Sequence, residues 1–233
     1  MSDVDALPGM LERLKLTAMH DRLDGLLDEA ARGDLSLRET LALLCRAEVS
    51  HREERRIQMG TGIAKFPQQR TLEGFDFAAQ PSLDARQVRD LAACRWIANG
   101  DALLIQGPPG VGKTHLAIAL GREAIRHGYS VLFTPATALV TTLVRGHAEG
   151  KLEQRLAQLA KPKLLIMDEF GYLPLEPAAA HLLFQLVSCR YERDSILITS
   201  NRAVGDWGRR SAVPAALHAT TAHCPRICRA MRW

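Results

Sequence analysis

Gly107-Pro-Pro-Gly-Val-Gly-Lys-Thr114 is the stretch on which the reading of this chain turns. It matches the pattern G-x-x-x-x-G-K-[ST], and it stands between an apolar strand, Asp101-Ala-Leu-Leu-Ile-Gln106, and a helix over 114–127. Glycines at these positions let backbone N–H groups turn inward around phosphate oxygens. The start of the following helix adds the positive end of its dipole. Gly107, Pro108, Pro109, Gly110, Val111 and Gly112 are read as the cradle. Lys113 is the point charge for the β- and γ-phosphates of a nucleotide, and Thr114 the hydroxyl for Mg2+. The pattern alone occurs by chance; its strand–loop–helix setting makes it a nucleotide site.

Working outward, Gly128 stops the helix and Ser130-Val-Leu-Phe-Thr134 is the next strand. Another helix, a strand over Lys163–Met167, a helix over 177–192 and a strand over Ser195–Thr199 follow. Such alternation predicts an α/β fold, a parallel sheet covered by helices on both faces. Leu164-Leu-Ile-Met brings Asp168 to the C-terminal end of its strand, the edge where open α/β sheets bind ligands. Asp168 is expected to hold Mg2+, and the adjacent Glu169 to polarise an attacking water. Two acids after a strand also serve as a helix cap, but they follow Lys113 by 55 and 56 residues in one fold. Asn201, in Ile198-Thr199-Ser200-Asn201, either orients that water, touches the γ-phosphate or simply makes a turn.

Upstream, Leu11, Leu14, Met19, Leu23, Leu26 and Leu27 lie at helical spacing over 7–30, and Gly33-Asp34 ends that helix. Ser36-Leu-Arg-Glu39 reads as a capping box opening a second helix towards about Gln58, with Gly60, Gly62 and Pro67 as its stop. The plan is therefore a small all-helical domain over 1–66, an α/β nucleotide domain over 67–207 and a tail over 208–233. Between Arg46 and Arg70 six basic residues face three acidic ones. This is either a solvated helix face or a patch that neutralises phosphates without reading sequence.

Of the 233 residues 47% are hydrophobic and 24% charged, enough for a substantial core. No run of 18 apolar residues offers a membrane span, and the acidic start MSDVDALPGM is not a secretory signal. Five cysteines, odd in number and scattered, fit a reducing cytoplasm rather than a disulfide framework. The net charge of +4 is misleading. Five arginines (209, 210, 226, 229 and 232) and no acid lie beyond Trp207, leaving 25 basic and 26 acidic residues upstream.

The phosphate loop, the Asp168-Glu169 strand and the polar strand end, in this order, resemble the AAA+ ATPases of the P-loop class. The resemblance narrows to the IstB-like transposition helpers, relatives of the helicase loader DnaC. Thr71-Leu-Glu-Gly-Phe-Asp-Phe77, Leu91-Ala-Ala-Cys-Arg-Trp-Ile97 and Gly107 through Thr114-His-Leu-Ala117 carry it. So do Lys161-Pro-Lys-Leu-Leu-Ile-Met-Asp-Glu-Phe-Gly-Tyr-Leu-Pro174, Leu183-Phe-Gln-Leu-Val187 and Arg190-Tyr-Glu-Arg193. It runs from about Leu11 to Trp207. It implies ATP hydrolysis, assembly as a homo-oligomer on double-stranded DNA, and stimulation of a partner transposase. His115 then joins the nucleotide-binding set, and Arg52, Arg55, Arg56 and Lys65 become the DNA-binding candidates. Phe75 and Phe77 stand where the family's linker nears the adenine, or else pack; Trp96 is core. A helicase loader, or a non-hydrolysing DNA- and ATP-binding remnant, are the alternative readings.

After Asp206-Trp207-Gly208 the family continues with a Phe-Gly-Asp-Pro segment, a helix and a strand, whereas here Arg209-Arg-Ser-Ala-Val-Pro214 opens a basic tail. The expectation is a frameshifted or truncated end, poorly ordered, that exposes a core edge and removes the arginine AAA+ proteins lend to a neighbour's site. Arg190, Arg193 and Arg202 remain as candidates for that role. His223-Cys224 and Cys228 lack a fourth ligand and are not read as a zinc site.

Overall fold

The structure, a computed structural model, describes residues 6–170, 176–191, 193–202 and the backbone of 228–232. The chain divides into two compact units, Met1–Met59 and Gly60–Trp233. The division falls inside helix α3 (Leu37–Ala64).

In the first unit the leucine spacing over 7–30 predicts one helix, and the structure makes two, α1 (Leu7–Arg13) and α2 (Thr17–Arg32). Lys15 takes φ +56°, and the N–H groups of Lys15 and Leu16 turn back to the carbonyls of Glu12 and Leu11. This is a left-handed helix end of the kind glycine usually supplies, so no glycine betrays it. The end of α2 repeats the device with Asp34 at φ +48° and Leu35 N–H on Ala30. The capping box forms as expected: Ser36 N–H donates to Glu39 Oε2 at 2.9 Å, and Glu39 N–H to Ser36 Oγ at 3.4 Å.

Helix α2 has no capping side chain of its own at Leu16. Glu48 of α3 serves instead, 4% exposed, accepting from the N–H groups of Ala18 at 2.8 Å and Met19 at 3.2 Å. A carboxylate at a helix N-terminus satisfies orphan donors and complements the dipole. Arg52 holds its other oxygen at 2.8 Å and reaches the Lys15 carbonyl at 3.0 Å.

The second unit carries the sheet: β1 (Ala102–Gln106), β2 (Val131–Pro135), β3 (Leu164–Phe170), β4 (Ser195–Ser200) and β5 (Cys228–Arg232). The order is β2-β3-β4-β1-β5, with every pairing parallel. Helix α4 (Ala85–Ala92) and the short α5 (Arg95–Ala98) precede β1, and α6 (Lys113–Arg126) follows it. The single helix expected after β2 is a pair, α7 (Ala136–Ala148) and α8 (Leu152–Ala160), and α9 (Pro177–Arg190) joins β3 to β4. Both faces of the central strands are buried. Leu104, Leu165, Met167, Ile196 and Ile198 pack with α7 and α9 through Leu139, Leu143, Leu183 and Leu186. The alternate positions turn towards α6, where Gly121 lies so close to the sheet that a Cβ would stand 2.7 Å from Ile166 Cδ1.

Two expectations are corrected. Helix α3 runs through Gly60 and Gly62 and ends only at Lys65, with φ +59°. Gly60 is a packing residue, since a Cβ there would meet Ile125 Cγ2 at 2.8 Å. The tail, expected to be poorly ordered and to expose a core edge, places Cys228–Arg232 along β1 in register from Ala102↔Cys228 to Gln106↔Arg232. A five-residue backbone suffices to pair an edge whose own N–H and C=O groups need partners. The remainder of the tail lies outside the described residues.

Arg190 is fully buried at the opposite end of the sheet from the phosphate loop. It donates to the carbonyls of Leu159 (2.9 Å), Pro162 (2.8 Å) and Ser195 (2.9 Å), tying the end of α8 to the starts of β3 and β4. Burial pulls its pKa down to about 10, against the opposing charge of Asp194.

Two outcomes follow for stability. Glu48→Ala should cost the N-terminal helices about 2 kcal/mol through the lost cap and the amides left bare. Burial raises the Glu48 pKa, but the bonds from Arg52 and the amides outweigh it and hold the carboxyl below its ordinary 4.5. Its contribution is therefore complete above pH 4.5 and fades as the pH falls through the lower folded value. Urea melts followed by circular dichroism should show wild type and variant converging in acid. Arg190→Lys should destabilise the second unit by about 3 kcal/mol, because an ammonium cannot reach carbonyls on three elements. A full thermal melt within a degree of wild type would show the carbonyl ties to be idle.

Candidate nucleotide site

Sheet order, not chain order, assembles this site. Because β4 lies between β1 and β3, the C-terminal ends of three strands stand side by side. They carry the Gly107–Thr114 loop, the Thr199–Asn201 segment and Asp168-Glu169. The loop is anchored where Gly107 N–H donates to the Ser200 carbonyl at 3.1 Å. Gly110 and Gly112 take φ +84° and +93°, values that side chains rarely adopt, and so turn the loop over the start of α6.

A cavity of about 350 Å³ opens there, lined by Pro109, Gly110, Gly112, Lys113, Thr114, His115, Glu169, Thr199 and Asn201. Every expected catalytic group except Asp168 lines it, and Asp168 lies directly behind. Gly107, Pro108 and Val111 shape the loop without lining the cavity. Lys113 Nζ donates to the Pro108 carbonyl at 2.8 Å. Partial burial pulls its pKa down, against the raising influence of Asp168 and Glu169.

Asp168, 6% exposed, accepts from Thr114 Oγ1 at 3.0 Å on both oxygens and from Thr199 Oγ1 at 2.5 Å. Thr199 Oγ1 in turn accepts from Glu169 N–H at 2.9 Å. Thr114 and Asp168 are hard oxygen donors in contact, the chemistry that suits Mg2+. Among the described residues no three His, Cys, Asp or Glu side chains gather around a metal. Thr114 and Asp168 are the residues that would hold such an ion here.

Strand β3 does not stop at Met167, as expected, but continues to Phe170 with an irregularity. Met167 pairs with Ile198, yet Phe170 pairs with Ser200, so Asp168 and Glu169 together face Thr199. Glu169 is left-handed at φ +60°. This is a β-bulge, one extra residue on one strand.

His115 Nε2 donates to the Thr71 carbonyl at 2.9 Å and meets the Phe75 ring edge-to-face at 5.2 Å. Phe75 is buried and lies against Gly112, where a Cβ would stand 2.8 Å from Phe75 Cε2. Phe77 packs on Phe75 at 4.9 Å, so the pair braces the loop. Trp96 is core, donating to the Leu91 carbonyl at 3.0 Å. Of the two readings of Phe75 the packing one holds, while sequence reading missed Thr199, whose only signal was membership of the polar strand end.

The basic candidates separate. Arg52 is tied to Glu48 and Lys15, and Arg56 pairs with Glu53 at 2.5 and 2.9 Å. Arg55 and Lys65 are exposed. Of the three arginines considered for a neighbour's site, Arg190 is excluded by burial, while Arg193 and Arg202 are exposed. The Gly171–Pro174 part of the Asp168–Pro174 string lies outside the described residues. No helix among the described residues is long and apolar enough to cross a membrane.

The family model for IstB-like ATP binding protein matches residues 9–227, reaching 20 residues beyond Trp207. A relative from Geobacillus stearothermophilus, described as an ATP-binding protein of insertion sequence IS5376, is 44% identical over 196 residues, 84% of this chain and 78% of the relative. One from Pseudomonas aeruginosa, of insertion sequence IS21, is 42% identical over 199 residues, 85% and 75% of the two chains. Among solved structures, the DnaC helicase loader superposes with a TM-score of 0.55 at 22% identity, over 63% of this chain and 86% of that one. AMPPCP-bound DnaA from Aquifex aeolicus superposes at 0.58 with 21% identity, over 72% of this chain and about half (51%) of that one. These likenesses give the fold, a P-loop NTPase of AAA+ type. With the sequence relatives and a family match over almost its whole length, the chain belongs to the IstB-like ATP-binding proteins.

Proposed function

We propose that this chain binds and hydrolyses Mg2+-ATP and, in the cytoplasm, acts on double-stranded DNA as the ATP-dependent helper of an insertion-sequence transposase. The observation that carries the reading is the arrangement at the strand ends. Lys113, the Thr114–Asp168 pair and Glu169 converge on one cavity at the mouth of the phosphate loop. The insertion-sequence relatives favour the transposase helper over the helicase loader.

In this reading the loop amides and Lys113 bind the phosphates. Thr114 and Asp168 hold Mg2+, which neutralises charge on the phosphate oxygens. Glu169 accepts hydrogen from the attacking water, and Asn201, on the cavity wall, orients it. The described lining contains no arginine. A homo-oligomer then completes each site with an arginine from the next copy, for which Arg193 and Arg202 remain exposed. Double-stranded DNA is met through phosphate contacts by Arg55 and Lys65, with Arg52 and Arg56 sharing the charge of α3.

ATP turnover measured with and without duplex DNA tests the enzyme half. Lys113→Ala should lose both nucleotide binding and turnover. Glu169→Gln should keep binding but lose turnover by on the order of 100-fold or more. Wild-type chain that binds ATP and never turns it over, on DNA or off, would sink the hydrolysis reading. For the DNA half, Arg55→Ala or Lys65→Ala should weaken binding equally on unrelated duplexes and lower the slope of log affinity against log salt by about 1. A residue whose loss leaves that slope unchanged does not touch DNA.

A further inference from the structure

We propose that Thr199 is the positioning residue of the site: its side-chain hydroxyl holds the β3 bulge that aims Glu169 at the nucleotide. The inference rests on the ATP-hydrolysis reading of the same cavity, and it starts from a parity problem. In a regular strand successive side chains point to opposite faces. Leu165 and Met167 face α7 and α9, where both belong to the apolar cluster. Ile166 faces α6, against Gly121. Asp168, two residues on, keeps that face and meets Thr114 at the start of α6. By the same alternation Glu169 would turn away from the phosphate loop, into the apolar cluster beneath α7 and α9. Two adjacent carboxylates on a regular strand cannot both serve one cavity.

The bulge resolves this. With Glu169 at φ +60°, one residue is taken out of the alternation and its side chain joins the cavity wall. The pairing then resumes at Phe170↔Ser200. Phe170 fills the place in the α7/α9 cluster that Glu169 would have taken, and is 3% exposed. A left-handed glutamate is not a conformation the residue prefers, so its surroundings must hold it.

Thr199 is the group placed to do so. It is the one residue on β4 that faces the two-residue bulge, and it is 1% exposed. Its Oγ1 accepts the Glu169 N–H at 2.9 Å, taking the amide that the bulge removes from regular pairing. The same hydroxyl donates to Asp168 at 2.5 Å. A single O–H thereby fixes the backbone that carries Glu169 and the carboxylate that meets Thr114. Asn201 was the strand-end residue expected to matter; it lines the cavity but makes neither contact.

The test uses the full chain with ATP and Mg2+, and compares Thr199→Val, nearly isosteric without the hydroxyl, with Thr199→Ser, which keeps it. Thr199→Ala serves as the second hydroxyl-free variant should valine fail to fold. Loss of the hydroxyl should lower kcat by on the order of 100-fold while KM and the affinity for a fluorescent ATP analogue stay within about threefold. Serine should restore most of the turnover. Independently of turnover, exchange of the Glu169 backbone amide, followed by NMR, should quicken by at least about tenfold without the hydroxyl and stay slow in Thr199→Ser. Wild-type turnover in the hydroxyl-free variants, or serine as impaired as valine, would overturn the proposal. So would unchanged amide exchange, even if wild-type chain hydrolyses no ATP, an outcome that on its own defeats only the underlying enzyme reading.

Discussion

The buried carboxylate of Asp168 is the point at which three segments far apart in the chain meet. It belongs to β3, takes one hydroxyl from the first turn of α6 and another from the end of β4. A buried anion is costly unless hydrogen-bonded or paired. Its direct partners among the described residues are the two neutral hydroxyls, with Lys113 the nearby charge. Through those hydroxyls it keeps the phosphate-loop helix docked on the sheet. Order at the phosphate loop and order at the strand ends are in this way the same order.

Much of that arrangement is legible in the residues. The glycine spacing of Gly107–Thr114, the apolar run before Asp168 and the turn at Gly128 each have a local cause, and local causes act alike in a sequence and in a fold. The capping box at Ser36 is legible for the same reason. What escaped rests on backbone bonds and distant contacts that residue identity does not announce. The helix ends at Lys15 and Lys65 use a left-handed residue that is not glycine, and at Lys15 backbone bonds that composition does not reveal hold the turn. Gly60 looks like a stop because a bare glycine favours one, yet the approach of Ile125 from α6 makes it a contact. The pairing of Cys228–Arg232 to β1 joins residues more than 120 apart, and a short basic segment carries no sign of it.

Charge is where sequence and structure part most clearly. Arg52, Arg55 and Arg56 are equivalent on paper, three cations on one amphipathic helix. In the fold the first is consumed by Glu48 and a carbonyl, the third by Glu53, and Arg55 is left to solvent. Arg190 is the stronger case. It reads as a candidate to reach another subunit, and it is instead a carbonyl clamp inside its own core. An arginine's five donors make it as good a staple for backbone oxygens as a reader of phosphates, and only burial tells the two apart.

The bulge at Glu169 ties the site to the core in a way that neither alone would suggest. The same extra residue that turns Glu169 to the cavity shifts Phe170 into the cluster shared with α7 and α9. Removing the bulge would therefore do two harms at once, presenting a carboxylate to an apolar cluster and withdrawing an aromatic ring from it. The apolar packing beneath β3 thus opposes any relaxation of the left-handed turn above it, since regular pairing would bury a charge. Strain in one residue is held by the burial of its neighbour and by one hydroxyl on the next strand. Two adjacent acids can face one site at the end of a single strand because the core on the other face of the sheet accepts Phe170 and rejects Glu169.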